Sequence, residues 1–283
     1  MARFDPRLTP ARPDLAAEHL RGEVEAAAFV TGRPMHVTQG IADLRHEPTP
    51  DAGIDTQALY GENVTLYEDH EGWGWVQLAR DNYVGYIGMT ALAEGYVQPT
   101  HRINTNRSFI YPGPNMKLPP RDGLPLGALV RIDGLSGDYA RLVYSGFIFA
   151  GHLKACGVEE GDFVEVAERL LHTPYLWGGK SSLGLDCSGL VQLSLGQAGV
   201  LAPRDTDMQQ DVLGAPVAFD DTLSGLQRGD LVFWKGHVGI MRDQSELLHA
   251  NAYHMLVASE PLAQARDRIL AKSFGPITAI KRL

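Results

Sequence analysis

Along the 283 residues the spacing of apolar positions changes character three times. Leu15, Ala16, Leu20, Val24 and Ala28 recur at helical intervals. That spacing predicts a helix from about Pro13 to Phe29, after an extended Pro-containing lead-in, packing on the domain that follows. From Arg33 the period shortens: Val64 and Leu66 alternate with polar neighbours, then come Trp73 to Leu78, a turn at Arg80-Asp81-Asn82, and Tyr83 to Ile87. Much the same order returns between Arg102 and Lys154. Gly127 to Ile132 mirrors Gly61 to Leu66, Tyr139 to Leu142 mirrors Trp75 to Leu78, and Gly146 to Ile148 mirrors Gly85 to Ile87. Two degenerate copies of one small β-barrel are therefore expected. After Cys156 the texture shifts again. Asp162, followed three residues on by Glu165, reads as the cap of a helix running to Leu171. A second helix is expected from about Cys187 to Ala198, stopped near Gly199, and strands at Leu231 to Trp234, His237 to Arg242 and Glu246 to Asn251. The expected organisation is an arm and helix (1–32), two β-barrels (33–98 and 99–156) and an α+β domain (157–283).

Charge narrows the partners. Lys plus Arg number 25 against 34 Asp plus Glu, a formal charge of −9, which argues against nucleic-acid and anionic-membrane binding. An anionic substrate then needs a local cation. The first ten residues hold no apolar run of signal-peptide type and no stretch approaches the ~20 apolar residues of a membrane span, so a cytoplasmic protein is expected. Two cysteines, Cys156 and Cys187, do not make a disulfide scaffold, and Cys156 reads as a small buried hydrophobe.

Cys187 is different. It stands in Leu-Asp-Cys-Ser-Gly-Leu-Val at a helix start, where unpaired N–H groups and the helix dipole favour a thiolate. The preceding Pro174-Tyr175-Leu176-Trp177-Gly178-Gly179 suits a tight, stiff loop that delivers the thiol to a surface. His237 and His249 follow, each in an apolar segment; twelve residues apart, they come together if their strands are neighbours. A cysteine, a base and an orienting group are the minimum for nucleophilic catalysis, and the base is expected to raise the thiolate fraction. Alone, a helix-start Cys is more often structural and a single His an ordinary polar residue; together with Tyr175 and the glycine loop they outweigh that reading. Zinc held by Cys187, His237, His249 and His254 is the rival, but neither Cys-x-x-Cys nor His-Glu-x-x-His spacing is present. No cofactor or metal is expected.

Five ordered blocks, Tyr-Leu-Trp-Gly-Gly, Leu-Asp-Cys-Ser-Gly-Leu-Val, Arg-Gly-Asp-Leu-Val-Phe-Trp, Gly-His-Val-Gly-Ile and Leu-His-Ala, make the chain from about Gly161 onward resemble the NlpC/P60 family of cell-wall peptidases. The upstream modules resemble bacterial SH3 domains, and the whole resembles the γ-D-glutamyl-L-diamino-acid endopeptidases built from two such domains. The resemblance implies a papain-like α+β fold with Cys187 as nucleophile, His237 as base, His249 as its orienting group and Tyr175 beside the nucleophile. It further implies that Asp186 and Ser188 bind the substrate's free amine and that Arg204 meets the D-glutamyl carboxylate. Glu62 and Tyr83 of the first barrel would close over the N-terminal alanine. The implied partner is a small peptide, L-Ala-γ-D-Glu-diamino acid, with no nucleic acid, membrane or obligate protein partner. The rivals are a thiol amidase or acyltransferase on another bond, and a non-catalytic wall-peptide binder.

Overall fold

A computed structural model describes residues 4–144 and 146–283, and the chain divides into two compact units, Met1–Val158 and Glu159–Leu283. In the first unit, alternation does what the sequence pattern asks of it. Seven strands form one sheet in the order 54–59, 41–45, 84–88, 73–78, 63–70, 33–37, 92–94, around a core that includes Val64, Leu66, Val76, Leu78 and Ile87. The following module repeats that order in pieces. Strand 122–125 pairs 107–110; Tyr111 bridges Phe147 of strand 146–149, which pairs 139–142, and that pairs 132–136. Strand 101–103 lies between 129–130 and 153–155. The mirrored positions Val130, Ala140, Leu142 and Ile148 are buried like their counterparts, and Gly61 and Gly127 take φ +78° and +85° at matching turns. The modules share their packing: Leu59 joins the second core, and the Leu129 N–H donates to the Tyr60 carbonyl at 2.8 Å.

The helix expected over 13–29 does not form. Leu15–Ala17 and Ala28–Val30 make a parallel ladder, with a 3-10 turn at Glu18–Leu20. Gly22 at φ +88° breaks any continuous helix, and the buried positions, Ala16, Ala17 and Leu20, do not follow the whole apolar series: Ala28 is exposed. Tertiary contacts decide instead. Arg12 lies 4.4 Å over the Trp75 ring and pairs with Glu68 at 2.7 Å, while Leu8 packs on the first barrel's core. The arm thus packs as expected, but extended. Cys156 is exposed rather than buried, because it follows the last strand of the second module and only its backbone is held, by the Thr100 carbonyl at 2.9 Å.

The second unit is α+β. A six-stranded sheet runs in the order 215–216, 277–282, 231–234, 237–241, 246–251, 256–261. Asp162 caps α1 (Phe163–Arg169), accepting from the Val164 N–H at 2.8 Å. Helix α2 (Cys187–Gln197) is buried nearly all round and lies against the 237–241 and 246–251 strands, as a helix apolar on every side must. It ends at Ala198, with Gly199 at φ +79°. Two further helices follow: α3 (Thr206–Val212), and α4 (Leu262–Lys272), which packs Leu262, Ala265 and Ile269 on Trp234, Leu247 and Ile280. Among the described residues no helix is long and apolar enough to cross a membrane.

Candidate active site

The start of α2 is set by Asp186. Its carboxylate accepts the Gly189 N–H at 2.7 Å as the helix cap and the Gly178 N–H at 3.0 Å from the Tyr-Leu-Trp-Gly-Gly loop. The loop therefore folds over the helix end, and the fit is close. A Cβ on Gly189 would stand 2.1 Å from the Gly179 carbonyl oxygen, so no larger residue is accommodated there. Cys187, first in the helix, is 8% exposed, with the Thr206 hydroxyl 3.8 Å from Sγ. Its own N–H has no intrahelical acceptor, as at any helix start.

Opposite, strand register assembles the histidines. Ile240 pairs Leu248 and Met241 pairs Leu247, so His237 and His249 lie diagonally on one face of adjacent strands. Their rings meet with Nε2 of His237 2.8 Å from Nδ1 of His249. One strand further, His249 pairs Ala258, which puts Glu260 on the same diagonal; its Oε1 lies 2.8 Å from Nε2 of His249. His237 is further held between rings: Phe274 stacks on it at 5.3 Å and 7°, and Trp234 sits 5.6 Å away. Tyr175, Trp177, Cys187, His237, Lys272 and Phe274 line one cavity of about 310 Å³.

Burial sets the resting protonation. Removal from water, and then the Asp186 charge, push the Cys187 thiol up to about 11, although the Val238 N–H, Thr206 and Arg204 work the other way. Burial, with His249 and Arg268 nearby, holds His237 well below its usual range. Burial thus opposes the thiolate–imidazolium pair that the helix start favours, and tips the balance toward the neutral thiol and the neutral imidazole. Burial, then Cys187 once it is ionised and the Asp186 carboxylate, likewise make the Tyr175 phenol harder to ionise.

The other expected residues are placed differently. Arg204 is 1% exposed and does not line the cavity. Its guanidinium donates to both Asp186 oxygens at 3.0 and 2.6 Å and to Ser188 Oγ at 2.8 Å, so the carboxylate it holds here is that of Asp186. Asp186, with these donors and the N–H groups of Gly178 in the loop and Gly189 in the helix, is buried. In the first unit, Glu62 is buried, accepts the Leu59 N–H at 3.1 Å and faces Arg80 at 3.5 Å; Tyr83 belongs to the first barrel's core. His254, part of the zinc alternative, donates its backbone N–H to Asn251 Oδ1 at 2.8 Å, its ring Nδ1 lying 3.1 Å from the same oxygen. Donor atoms of His249, His254 and Glu260 fall within 4.8 Å of one another, but both nitrogens of His249 are already hydrogen-bonded. Thr206, Glu260, Arg268, Lys272 and Phe274 were not foreseen. The strand diagonal that selects Glu260 becomes visible only once the pairing of 246–251 with 256–261 is known.

A buried thiol at a helix start, sharing a cavity with an imidazole on an antiparallel sheet, is the arrangement of papain-like cysteine hydrolases. Within that class the chain belongs to the NlpC/P60 family. The family's profile matches residues 172–269, and that of the bacterial dipeptidyl-peptidase SH3 domain matches 44–92. Dipeptidyl-peptidase 6 of Lysinibacillus sphaericus is 31% identical over 239 residues, 75% of this chain and 85% of that protein. The γ-D-glutamyl-L-lysine dipeptidyl-peptidase of Bacillus subtilis is 28% identical over 220 residues, 70% and 72% of the two chains. An NlpC/P60 protein of Bacillus cereus shares the fold, with a TM-score of 0.73 at 18% identity over 88% of this chain and 99% of that one. These relatives make the chain a homologue of peptidases.

Proposed function

We propose that the protein is a cysteine peptidase that cuts the γ-D-glutamyl–diamino-acid bond of stem peptides with a free N-terminal L-alanine. The observation that carries this reading is the hydrogen-bonded His237–His249 pair opening, with Cys187, on one cavity. His237 takes the thiol proton as sulfur attacks the γ-carbonyl carbon, and the Cys187 N–H and Tyr175 hydroxyl receive the developing oxyanion. The proton passes to the departing amine as the C–N bond breaks, leaving a thioester. Water, activated by the same imidazole, cleaves the thioester and regenerates the thiol. The names of the relatives, dipeptidyl-peptidases, support release of a dipeptide counted from a free amine. In this reading Asp186 and Ser188, beside the nucleophile, receive the substrate's free amine. The strand order of 101–155 supports a second SH3-like domain, and peptides already freed from glycan are the natural substrate of such an enzyme, in recycling.

The test is mass spectrometry with L-Ala-γ-D-Glu-meso-diaminopimelate and its N-acetylated twin. Release of Ala-Glu from the free peptide only is the expected result. Equal cleavage of both removes the amine requirement, and cleavage of neither removes the peptidase reading in favour of another amide or ester.

The charge of the cavity lining suggests a preference. Its charged lining residues are Arg268 and Lys272, with no Asp or Glu among the described residues that line it, and Arg268 is paired with Glu260. Lys272 therefore favours a diamino acid with an extra carboxylate over lysine. Lys272→Ala is expected to lower kcat/KM for the diaminopimelate peptide roughly tenfold, a charge-assisted hydrogen bond's worth, and to leave a lysine peptide unchanged. Equal loss on both peptides would sink this preference.

A further inference from the structure

The geometry points to Glu260 and Arg268 as a positioning pair that fixes which nitrogen of His237 carries the lone pair, an inference that rests on the cysteine-peptidase reading. Glu260 is 9% exposed and ends the hydrogen-bonded series that begins at His237. Arg268 donates from Nη1 to Oε2 at 2.6 Å and from Nη2 to Oε1. Arg268 is itself seated 4.2 Å over the Tyr253 ring. A guanidinium has donors only, so the group it grips in this fork must accept on both oxygens. Burial works against that charge, but Arg268 and His249 outweigh it and hold the carboxyl down to about 2. His254, whose Nδ1 is 3.8 Å from Oε1, is the other titratable group facing this carboxylate.

The consequences pass inward one proton at a time. An acceptor-only Glu260 requires a proton on Nε2 of His249. Burial holds that imidazole below its usual range, so it carries a single proton and its Nδ1 must accept. The partner there is Nε2 of His237, which must donate. The neutral His237 ring then has its lone pair on Nδ1, the nitrogen left to receive the Cys187 proton. Were His249 reversed, His237 would carry its proton on Nδ1 and could not act as the base. Neither Glu260 nor Arg268 touches the reacting atoms; they act through His249.

The test is ¹⁵N NMR of the histidines in the full chain, beside steady-state kinetics on the free tripeptide. The native protein is expected to show His237 protonated on Nε2 and bare on Nδ1. Glu260→Leu removes the acceptor: the pattern should mix or reverse, and kcat should fall roughly 10²- to 10⁴-fold, the range seen when a triad imidazole is held in the wrong tautomer, with KM little changed. Glu260→Gln keeps an oxygen that can accept from His249, so it should restore the native pattern and most of kcat. Thermal melts report the folded fraction of each variant. A native His237 protonated on Nδ1 overturns the inference whether or not any peptide is cleaved. So does a Glu260→Leu protein that keeps the native pattern, or whose kcat follows only its folded fraction. A native protein with the expected protonation but no cleavage of the tripeptide upholds the tautomer assignment and removes the peptidase reading instead.

Discussion

Cys187→Ala is expected to yield a folded protein in which release of Ala-Glu falls by at least about 10⁴-fold, as when the nucleophile of a catalytic triad is deleted. The substitution removes one buried sulfur at the first turn of α2, next to Thr206, while the cap from Asp186 to the Gly189 N–H is untouched. The stability cost is therefore about 1 kcal/mol, in the range for losing a small buried group. Dipeptide release measured by mass spectrometry, with a melt as the fold control, separates the two effects. Residual turnover within tenfold of the native enzyme would mean that the thiol is not the nucleophile. The resting protonation adds a second signature. Because burial and Asp186 push the Cys187 thiol up to about 11, little thiolate is expected at neutral pH. Alkylation by iodoacetamide should be slow at pH 7 and climb as pH rises toward 11, whereas a preformed ion pair would give fast alkylation that is flat across neutrality. The linkage has the same sign. The unfolded thiol ionises near its ordinary 9.0, so this residue's contribution to stability is complete below that pH and is lost as pH rises toward 11.

The parts of this site that were legible from sequence are those in which chemistry and local backbone coincide. Asp186 before Cys187 is at once a cap signal and a nucleophile signal, and α2 begins and ends within a residue of where Asp186 and Gly199 put it. The strands bearing His237 and His249 are short, apolar and bounded by turns, so both start where expected. What stayed hidden depends on pairing between distant segments. Glu260 looks like any acid until strand 256–261 is laid beside 246–251. Phe274 reaches His237 from beyond α4, and Lys272, at the end of α4, lines the same cavity. Arg204 is a harder case: its residue type was right for a carboxylate, and the carboxylate it found was Asp186. The N-terminal arm failed for the opposite reason. Its apolar residues fit a helical period, but Gly22 and the contacts of Arg12 with Trp75 and Glu68 favour an extended path. The strands of 33–94 and 101–155 were readable because the same alternation occurs twice, and repetition marks a pattern that one copy leaves ambiguous.

Arg204→Met is expected to destabilise the catalytic unit by about 3–5 kcal/mol, the cost of leaving one member of a buried ion pair without its partner. The reasoning rests on saturation. Arg204 is 1% exposed and delivers three hydrogen bonds at 3.0 Å or less to Asp186 and Ser188. Methionine fills much of its volume but leaves the Asp186 charge with only the Gly178 and Gly189 N–H groups and the Ser188 hydroxyl. At the usual relation between free energy and midpoint for a domain of this size, that is a fall in Tm of roughly 10–20 °C. Because the pair is buried, the loss should change little between low and high salt, unlike that of a surface pair. Activity should fall further than stability accounts for, since Asp186 ties the glycine loop to the nucleophile's helix. Asp186→Asn alone keeps a cap acceptor for the Gly189 N–H but strands the guanidinium, so it too should destabilise. Combined, Arg204→Met and Asp186→Asn remove both charges, and the double variant should be more stable than the sum of the two single losses predicts. Additive losses, or a shift in Tm of only a degree or two for Arg204→Met, would show that the arginine is not holding Asp186 and would reopen its assignment to the substrate's carboxylate.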